Sequence, residues 1–230
     1  MSSKIYKYQL HTHTAPCSAC AKMTPEELIE SLHEGGYQGC VMTNHFIGGN
    51  TGIDRCLSWH EFVKRYVDDY LECCKYAKDY DLDIIFGIEE VVLAALEILC
   101  YGVTPEMLYD HPELASAGPE LWYEVMHSYG VLCIQAHPFR ERDYIPKAGM
   151  LSLDCIDGIE VYNVANTEKN NKEAEVIAAK HPEFILVSGA DAHRKEDVCY
   201  GGIETTERIR DGRELVELLK SRKYKLIREQ

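Results

Sequence analysis

Two short motifs near opposite ends of the chain carry side chains that suit a metal site. His11-Thr12-His13 ends an apolar stretch that begins at Ile5, and Asp191-Ala192-His193 follows the apolar run 184–187. In an extended strand, residues two apart point to the same side, so each motif presents two potential ligands in parallel. Imidazole and carboxylate ligands suit zinc, iron or manganese. The two motifs therefore predict a metal-centred enzyme.

The elements that must position these motifs alternate along the chain. Short apolar runs predict strands, and apolar residues three or four apart predict helices. The predicted strands cover residues 5–11, 39–42, 83–89, 98–102, 131–136, 158–162 and 184–187. The predicted helices run from a capping box at Thr24 to Gly35 and over 58–80, 119–129, 168–180 and 212–221, before a short segment at 224–227. This α/β order indicates seven parallel βα units, most simply closed into a barrel.

Further candidate ligands stand where the predicted strands end, which is where parallel barrels build their active sites. They are His45, Glu89 and His137. Candidate ligands from distant parts of the chain thus stand at equivalent positions in their strands, which predicts one shared site. The remaining histidines lie in helices or in a proline-containing loop, and we interpret them as structural or solvated: His33, His60, His111, His127 and His181. The many carboxylates of helix 58–80 are interpreted as a solvated face.

Length and charge limit the classes of function. The chain has 230 residues with no linker or repeat, which predicts a single domain over 1–230. Its formal net charge of −14 argues against binding of long nucleic acids, which requires clustered Lys and Arg. A small anionic substrate remains compatible, because bound divalent cations reverse the local sign of the charge.

The compartment is predicted from the cysteines and from the absence of a recognisable export signal. The 10 Cys are scattered through helical and strand patterns, and no run is long enough to span a membrane. We expect reduced thiols in a cytoplasmic protein without membrane contact, with disulfide pairing as the alternative. The sequence makes no prediction of the oligomeric state.

The motifs, taken in order, resemble those of the PHP (polymerase and histidinol phosphatase) family. The resemblance covers about residues 5–205 and rests on His11-Thr12-His13-Thr14, Thr43-Asn44-His45, Gly87-Ile88-Glu89, Ala136-His137-Pro138 and Gly189-Ala190-Asp191-Ala192-His193. It implies a distorted (βα)7 barrel with two or three divalent metal ions (Zn, Fe or Mn) at the C-terminal end of the strands, and phosphoester hydrolysis. Glu160-Val161-Tyr162-Asn163 matches the Glu-x-x-Asn element of the family.

The resemblance also implies roles for individual residues. His11, His13, Glu89 and Asp191 would hold one metal, and Glu89 would bridge to a second metal that His137 also binds. His45 and His193 would belong to a third. Glu97 stands where the family often has a histidine, and a carboxylate there would favour manganese or iron.

The chain departs from the family pattern at two further places. Asn44 replaces the usual Asp, so a charge next to the ligands is lost. Residues 15–20 lack the usual Asp or His ligand of the third metal. Cys17 or Cys20 would supply a thiolate there, or both are ordinary loop cysteines. We therefore expect two bound metal ions and leave open whether a third is bound.

The implied reaction is hydrolysis of a small phosphomonoester, as in histidinol phosphatases, by a hydroxide bridging the metals. His193 or His45 would protonate the leaving group. Arg140 would bind the phosphate, unless it is a surface arginine, and Arg194 is a second candidate. The alternatives are a PHP-type exonuclease, a protein-tyrosine phosphatase, or a non-catalytic metal-binding regulatory domain.

Overall fold

The computed structural model describes residues 4–143, 145–146 and 148–228 and has an α/β fold. The strands in this part of the chain are β1 Tyr6–Thr12, β2 Gly39–Met42, β3 Asp83–Leu93, β4 Leu96–Tyr101, β5 Leu132–Gln135, β6 Gly158–Asn163, β7 Ile185–Gly189, β8 Ile203–Thr205 and β9 Lys225–Leu226. The α-helices there are α1 Pro25–Glu34, α2 Trp59–Ala77, α3 Pro105–Asp110, α4 Pro119–Ser128, α5 Glu168–Ala178 and α6 Gly212–Ser221.

Within the described residues, all nine strands form one sheet in the order β7-β6-β5-β4-β3-β2-β1-β8-β9. The sheet curls until β1 meets the chain that leaves β7. There Thr12 and Ala192 form a parallel bridge, with His13 N donating to Ala192 O at 2.9 Å. The result is a nearly closed barrel, whose closing bridge lies between the two motifs that first indicated a metal site.

The direction of one strand differs from the prediction of parallel βα units throughout. β4 pairs antiparallel with both β3 and β5. The predicted third strand ends at Glu89, but β3 continues to Leu93 and turns directly into β4 through Ala94 and Ala95. These two residues have φ values of 44° and 65°. β8 and β9 are also antiparallel to their neighbours, so the count of seven parallel units is wrong for this sheet.

Local sequence signals explain how the elements begin and how they pack. Helix α1 begins with the predicted capping box, in which Thr24 and Glu27 each accept a backbone N–H from the other. One apolar cluster contains buried residues of β1–β5, β7, β8 and α6. Along the strands these residues are two positions apart, because alternate residues face the same side of a sheet. Helices α1, α2 and α4 contribute to two further clusters on the sheet. The ends of the strands are thereby fixed in position.

Two global features bear on the earlier expectations. In the described part of the chain no helix is long and apolar enough to cross a membrane. All 10 cysteines are free thiols. The one-domain organisation stays a prediction.

Candidate metal centre

The candidate ligands converge at one edge of the barrel. His11 lies near the end of β1, His45 follows β2, and His137 follows β5. Because β4 runs antiparallel, its first residues lie at the edge where the parallel strands end, and this places Glu97 beside the others. The structure therefore brings together all eight predicted ligands, and their roles as ligands stay predictions: His11, His13, His45, Glu89, Glu97, His137, Asp191 and His193.

Glu89 lies at the middle of the cluster and is fully buried. Its Oε1 is 3.0 Å from His11 Nε2 and 3.1 Å from His137 Nε2, and its Oε2 is 2.9 Å from His45 Nδ1. Asp191 Oδ1 lies 3.1 Å from His13 Nε2. One carboxylate thus faces three imidazoles from different strands.

Several of these close approaches are not hydrogen bonds. The ring nitrogens His11 Nε2, His13 Nε2 and His45 Nδ1, and the oxygen Glu89 Oε2, are buried and have no hydrogen-bond partner. A buried polar atom without a partner costs about 1–3 kcal/mol. Short nitrogen–oxygen distances without aligned hydrogens are expected of atoms that surround a shared cation. Three sets of such atoms lie within 4.8 Å of one another, namely His11/His13/Glu89/Asp191, His45/Glu89/Glu97 and His13/His45/His193. The donors fit zinc, iron or manganese.

The proton on His11 is fixed by Glu160, a residue 1% exposed. His11 Nδ1 lies 3.0 Å from Glu160 Oε1, so the ring donates there and its Nε2 lone pair faces Glu89. Glu160 Oε2 accepts from the Asn163 side chain and from His137 N. Gly189 permits this approach, because a Cβ at that position would lie 2.4 Å from Glu160 Oε1.

The proton on His13 is fixed by a second chain of hydrogen bonds. Ser18 Oγ donates to Asn44 Oδ1 at 2.8 Å, so it must accept from His13 Nδ1, 3.1 Å away. Asn44 Nδ2 in turn donates to Asp69 Oδ2 at 2.8 Å. His13 therefore presents the lone pair of Nε2 to the cluster, as His11 does.

Asp69 corrects two expectations. Asn44 was expected to leave the ligands without a neighbouring charge, but Asp69 of helix α2 supplies a carboxylate one hydrogen bond further away. The carboxylates of that helix were interpreted as solvated, yet Asp69 is only 9% exposed. A signal was present in the sequence, because Asp69 lies on the same helical stripe as Phe62, Tyr66 and Cys73. Ser18, which with Cys17 and Cys20 was a candidate to replace the missing ligand, instead forms hydrogen bonds with His13 and Asn44.

The charge balance of the site requires protons or metal ions. Four buried or nearly buried carboxylates surround it, and among the described residues Arg140 is the one arginine or lysine in contact with them: Glu89, Glu97, Glu160 and Asp191. Burial opposes ionisation of Glu89, but His11 and His45 hold its pKa well below the usual range. Burial and the neighbouring Glu89 raise the pKa of Glu97 to about 7. Protons or metal ions must therefore neutralise the cluster.

Arg140 is buried, so its interpretation as a surface arginine is wrong. Its Nη1 contacts Asp191 Oδ2 at 2.5 Å, and its Nε and Nη2 each donate to an asparagine, Asn166 and Asn163, at 2.8 Å. Burial opposes its charge, but Asp191 raises its pKa. These contacts use three of its five N–H groups. Arg140 thus orients Asp191 and keeps donors available at the edge of the cavity.

The two cysteines near the first motif have different surroundings. Cys17 is 2% exposed and belongs to an apolar cluster, where burial raises its pKa well above the usual range. Cys20 Sγ lies 3.0 Å from His193 Nε2. Burial would raise the pKa of Cys20, but hydrogen bonds with His193 and His45 lower it to about 6. Cys20 alone is therefore part of the cluster.

A cavity of about 370 Å³ opens onto the cluster, within the range for small-molecule sites. Its lining consists of Cys20, His45, Asn50, Glu97, His137, Arg140, Asp191 and His193. A larger cleft of about 670 Å³ is lined in part by Cys17, and its lining residues include four carboxylates and no imidazole: Asp54, Asp68, Asp69 and Glu72. The cavity of about 370 Å³ is the candidate active site, because five of the predicted ligands line it.

The fold is shared with solved structures that are described as metal-dependent phosphoesterases or as an endonuclease. A proposed metal-dependent phosphoesterase from Bifidobacterium adolescentis is 14% identical, with a TM-score of 0.59 over 95% of this chain and 97% of that one. A two-domain protein from Bacteroides vulgatus, containing a predicted PHP-like metal-dependent phosphoesterase, is 14% identical with a TM-score of 0.66 and covers 98% of this chain and 65% of that one. The lesion-specific endonuclease EndoQ from Pyrococcus furiosus is 14% identical with a TM-score of 0.63, covering 97% and 58%.

Comparison of sequences gives no match. The chain matches no family model. It also matches no curated protein. The chain therefore has the fold of PHP-like metal-dependent phosphoesterases, and its activity has to be argued from its own residues.

Proposed function

We propose that this protein is a metal-dependent phosphoesterase that hydrolyses a small phosphomonoester. The observation that carries the proposal is the set of buried, unpaired ligand atoms around Glu89. The shared fold supports it, because two of the similar structures are described as metal-dependent phosphoesterases.

The distances support two metal positions. His11, His13, Glu89 and Asp191 would hold one ion, and Glu89, Glu97 and His137 would hold a second beside it. Bound ions of this kind lower the pKa of water and neutralise phosphoryl oxygens. Glu89 would belong to both positions, since its carboxylate faces His11 and His13 of the first position and His137 of the second.

Residues that line the cavity supply the remaining functions. Arg140 keeps two N–H groups beyond its three protein contacts, and their fork matches the oxygens of a phosphate. His193 and His45 are the candidates to protonate the leaving oxygen. Burial opposes a proton on His193, but Cys20 and Asp191 raise its pKa to about 9, so the ring carries that proton at neutral pH.

A small substrate fits the size and charge of the site. The cavity holds about 370 Å³, and the formal net charge of −14 disfavours a long polyanion. The likeness to an endonuclease makes hydrolysis of nucleic acid the second candidate. The free thiols favour a reducing compartment, which we propose is the cytoplasm.

The test is Asp191→Ala, with metal content and turnover of p-nitrophenyl phosphate measured on the same samples. We expect a loss of turnover larger than the roughly 10–100-fold typical of outer-shell changes, together with less bound metal. Glu196→Ala, an exposed position in the same loop, is the matched control and keeps wild-type values.

Three outcomes would change the proposal. Unchanged turnover in Asp191→Ala would refute the assignment of the site. Hydrolysis of bis-p-nitrophenyl phosphate or short oligonucleotides in preference to the monoester would favour the nuclease. Metal binding without hydrolysis of any phosphoester, across several added metals, would favour a non-catalytic regulatory domain.

A further inference from the structure

The loop that follows the first motif is fixed against the last motif. Lys22 N donates to His193 O at 2.9 Å, and Ala19 N donates to Asn50 O at 2.9 Å. Ser18 and Thr51 form an antiparallel bridge. The backbone on both sides of Cys20 is therefore anchored, and its Sγ is held 3.0 Å from His193 Nε2.

The orientation of the His193 ring is also determined. Its Nδ1 lies 2.8 Å from the backbone carbonyl of Asp191, which can only accept. The proton of a neutral ring is therefore on Nδ1, and the lone pair of Nε2 points at the sulfur of Cys20. Without a metal these two atoms share a hydrogen bond, and replacing its proton by a cation would leave Nε2 and Sγ as two ligands of that cation.

Two further imidazoles complete the surroundings. Ring nitrogens of His13, His45 and His193 lie within 4.8 Å of one another. The His13 ring centroid is 4.4 Å from that of His45 and 4.3 Å from that of His193. His13 Nε2 and His45 Nδ1 are buried without a hydrogen-bond partner. So many lone pairs at such distances repel one another unless a positive charge lies among them.

We propose that Cys20, as a thiolate, binds a metal ion together with His193 and His45, at a position adjacent to the Glu89 carboxylate. Cys20 would thus replace the acidic or imidazole ligand that residues 15–20 lack. Cysteine thiolate is a soft ligand that favours zinc, whereas the carboxylates Glu89 and Glu97 favour manganese or iron. We infer a centre with two kinds of metal position, of which the one containing Cys20 selects zinc.

This assignment changes the role of His193. A ring nitrogen bound to a metal cannot donate a proton, so His193 would be a ligand and not the acid when the position is filled. The inference rests on the metal centre of the proposed function and not on the reaction that the centre carries out.

The experiment compares wild type, Cys20→Ser and Cys17→Ser after loading with Zn²⁺ or Co²⁺ and removal of excess metal. Cys17 is the matched control, since it is three residues away and buried in an apolar cluster. X-ray absorption at the zinc edge distinguishes sulfur at about 2.3 Å from nitrogen or oxygen at about 2.0–2.2 Å. Cobalt bound to a thiolate adds a charge-transfer band in the near ultraviolet.

We expect the sulfur shell and the cobalt band in wild type and Cys17→Ser, and neither in Cys20→Ser, which also binds one metal fewer per chain. Cys20→His should restore the number of bound metal ions without a sulfur ligand. It replaces Cys20→Ser in the comparison if that variant folds poorly. A fully loaded wild type without a sulfur shell overturns the inference, as does a sulfur shell that persists in Cys20→Ser. Neither readout uses turnover, so an inactive protein would refute the proposed function and leave this test valid.

Discussion

Asp69→Asn is expected to have opposite effects on the stability of the metal-free protein and on metal binding. Burial raises the pKa of Asp69 from 3.8 to about 6, although hydrogen bonds from Thr14 and Asn44 oppose this. The folded state thus disfavours the ionised carboxylate. A rise of about two pKa units corresponds to roughly 3 kcal/mol of lost stability at neutral pH.

The sign follows from proton binding in the two states. Between pH 4 and 6 the folded protein holds a proton on Asp69 that the unfolded chain has released, so stability falls as pH rises through this window. Asparagine has no charge to bury, and its oxygen can accept the same two hydrogen bonds as Asp69 Oδ2. We expect the variant to be more stable than wild type by up to about 3 kcal/mol at pH 7.5 and by about half of that at pH 5.

Metal binding should change in the other direction. The Asp69 carboxylate polarises Asn44 and Ser18 and thereby increases the basicity of His13. Its loss should weaken metal affinity about tenfold, the lower end for outer-shell partners, because it acts through two intervening residues.

The assay is urea denaturation in the presence of a chelator at the two pH values, followed by calorimetric titration with Zn²⁺. Asp68→Asn is the matched control, since its side chain is half exposed and pairs with Lys64, and it should change stability by less than about 0.5 kcal/mol. A metal-free Asp69→Asn that is less stable than wild type at pH 7.5, or unchanged metal affinity, would refute the reasoning.

Three further predictions concern the centre itself. Glu160→Gln should weaken metal affinity about 10–100-fold in calorimetric titrations, and equal affinity would contradict this. The amide NH2 group of the glutamine would replace one carboxylate oxygen, so it would face either His11 Nδ1 or the donors His137 N and Asn163 Nδ2. Arg140→Met should destabilise the chelated protein by about 3–5 kcal/mol in urea denaturation, since it leaves Asp191 buried without its partner, and added metal should restore part of the loss. Affinity for the second metal should rise with pH up to about 7 and then level off, because protons compete with the metal for Glu97. Burial and the neighbouring Glu89 raise the pKa of Glu97 to about 7. A flat pH profile in Glu97→Gln would support this reasoning, and the same rise in that variant would contradict it.

The sequence was sufficient to predict where strands end and which side chains stand there. Apolar runs and the spacing of His11 and His13 are local patterns, and parallel strands bring their ends to one edge. The predicted ranges for β2 and α4 agree with the structure to within one residue at each end. The convergence of His11, His45 and His137 from distant strands follows from this order, whereas that of Glu97 depends on the reversed direction of β4.

The direction of β4 could not be predicted, because its turn carries no recognisable signal. A two-residue hairpin with both φ values positive is usually built from Asn-Gly or Gly-Gly. Here Ala94 and Ala95 occupy these positions. Side chains with a Cβ are disfavoured in the left-handed region, so nothing in the residue types separates this turn from a continuing strand or loop.

The outer contacts of the site depend on three-dimensional register. The burial of Asp69 could be predicted from its helical stripe with Phe62, Tyr66 and Cys73, but its hydrogen bond with Asn44 could not. The choice between Cys17 and Cys20 likewise depends on how the loop folds back onto His193. Which of these side chains contacts the site can be decided only from the three-dimensional path of the backbone.

The bridge between Thr12 and Ala192 has a consequence for how the chain ends are held together. Each side of the bridge carries one pair of candidate ligands, His11 with His13 and Asp191 with His193. Ions bound by both pairs would cross-link positions about 180 residues apart, and they would offset the entropy of closing so long a loop. The supply of metal would then determine whether the barrel stays closed at this bridge, as well as the chemistry of the site. Backbone amides of His13 and Ala192 should therefore exchange with deuterium sooner than those of the β2–β3 pairing once the ions are withdrawn.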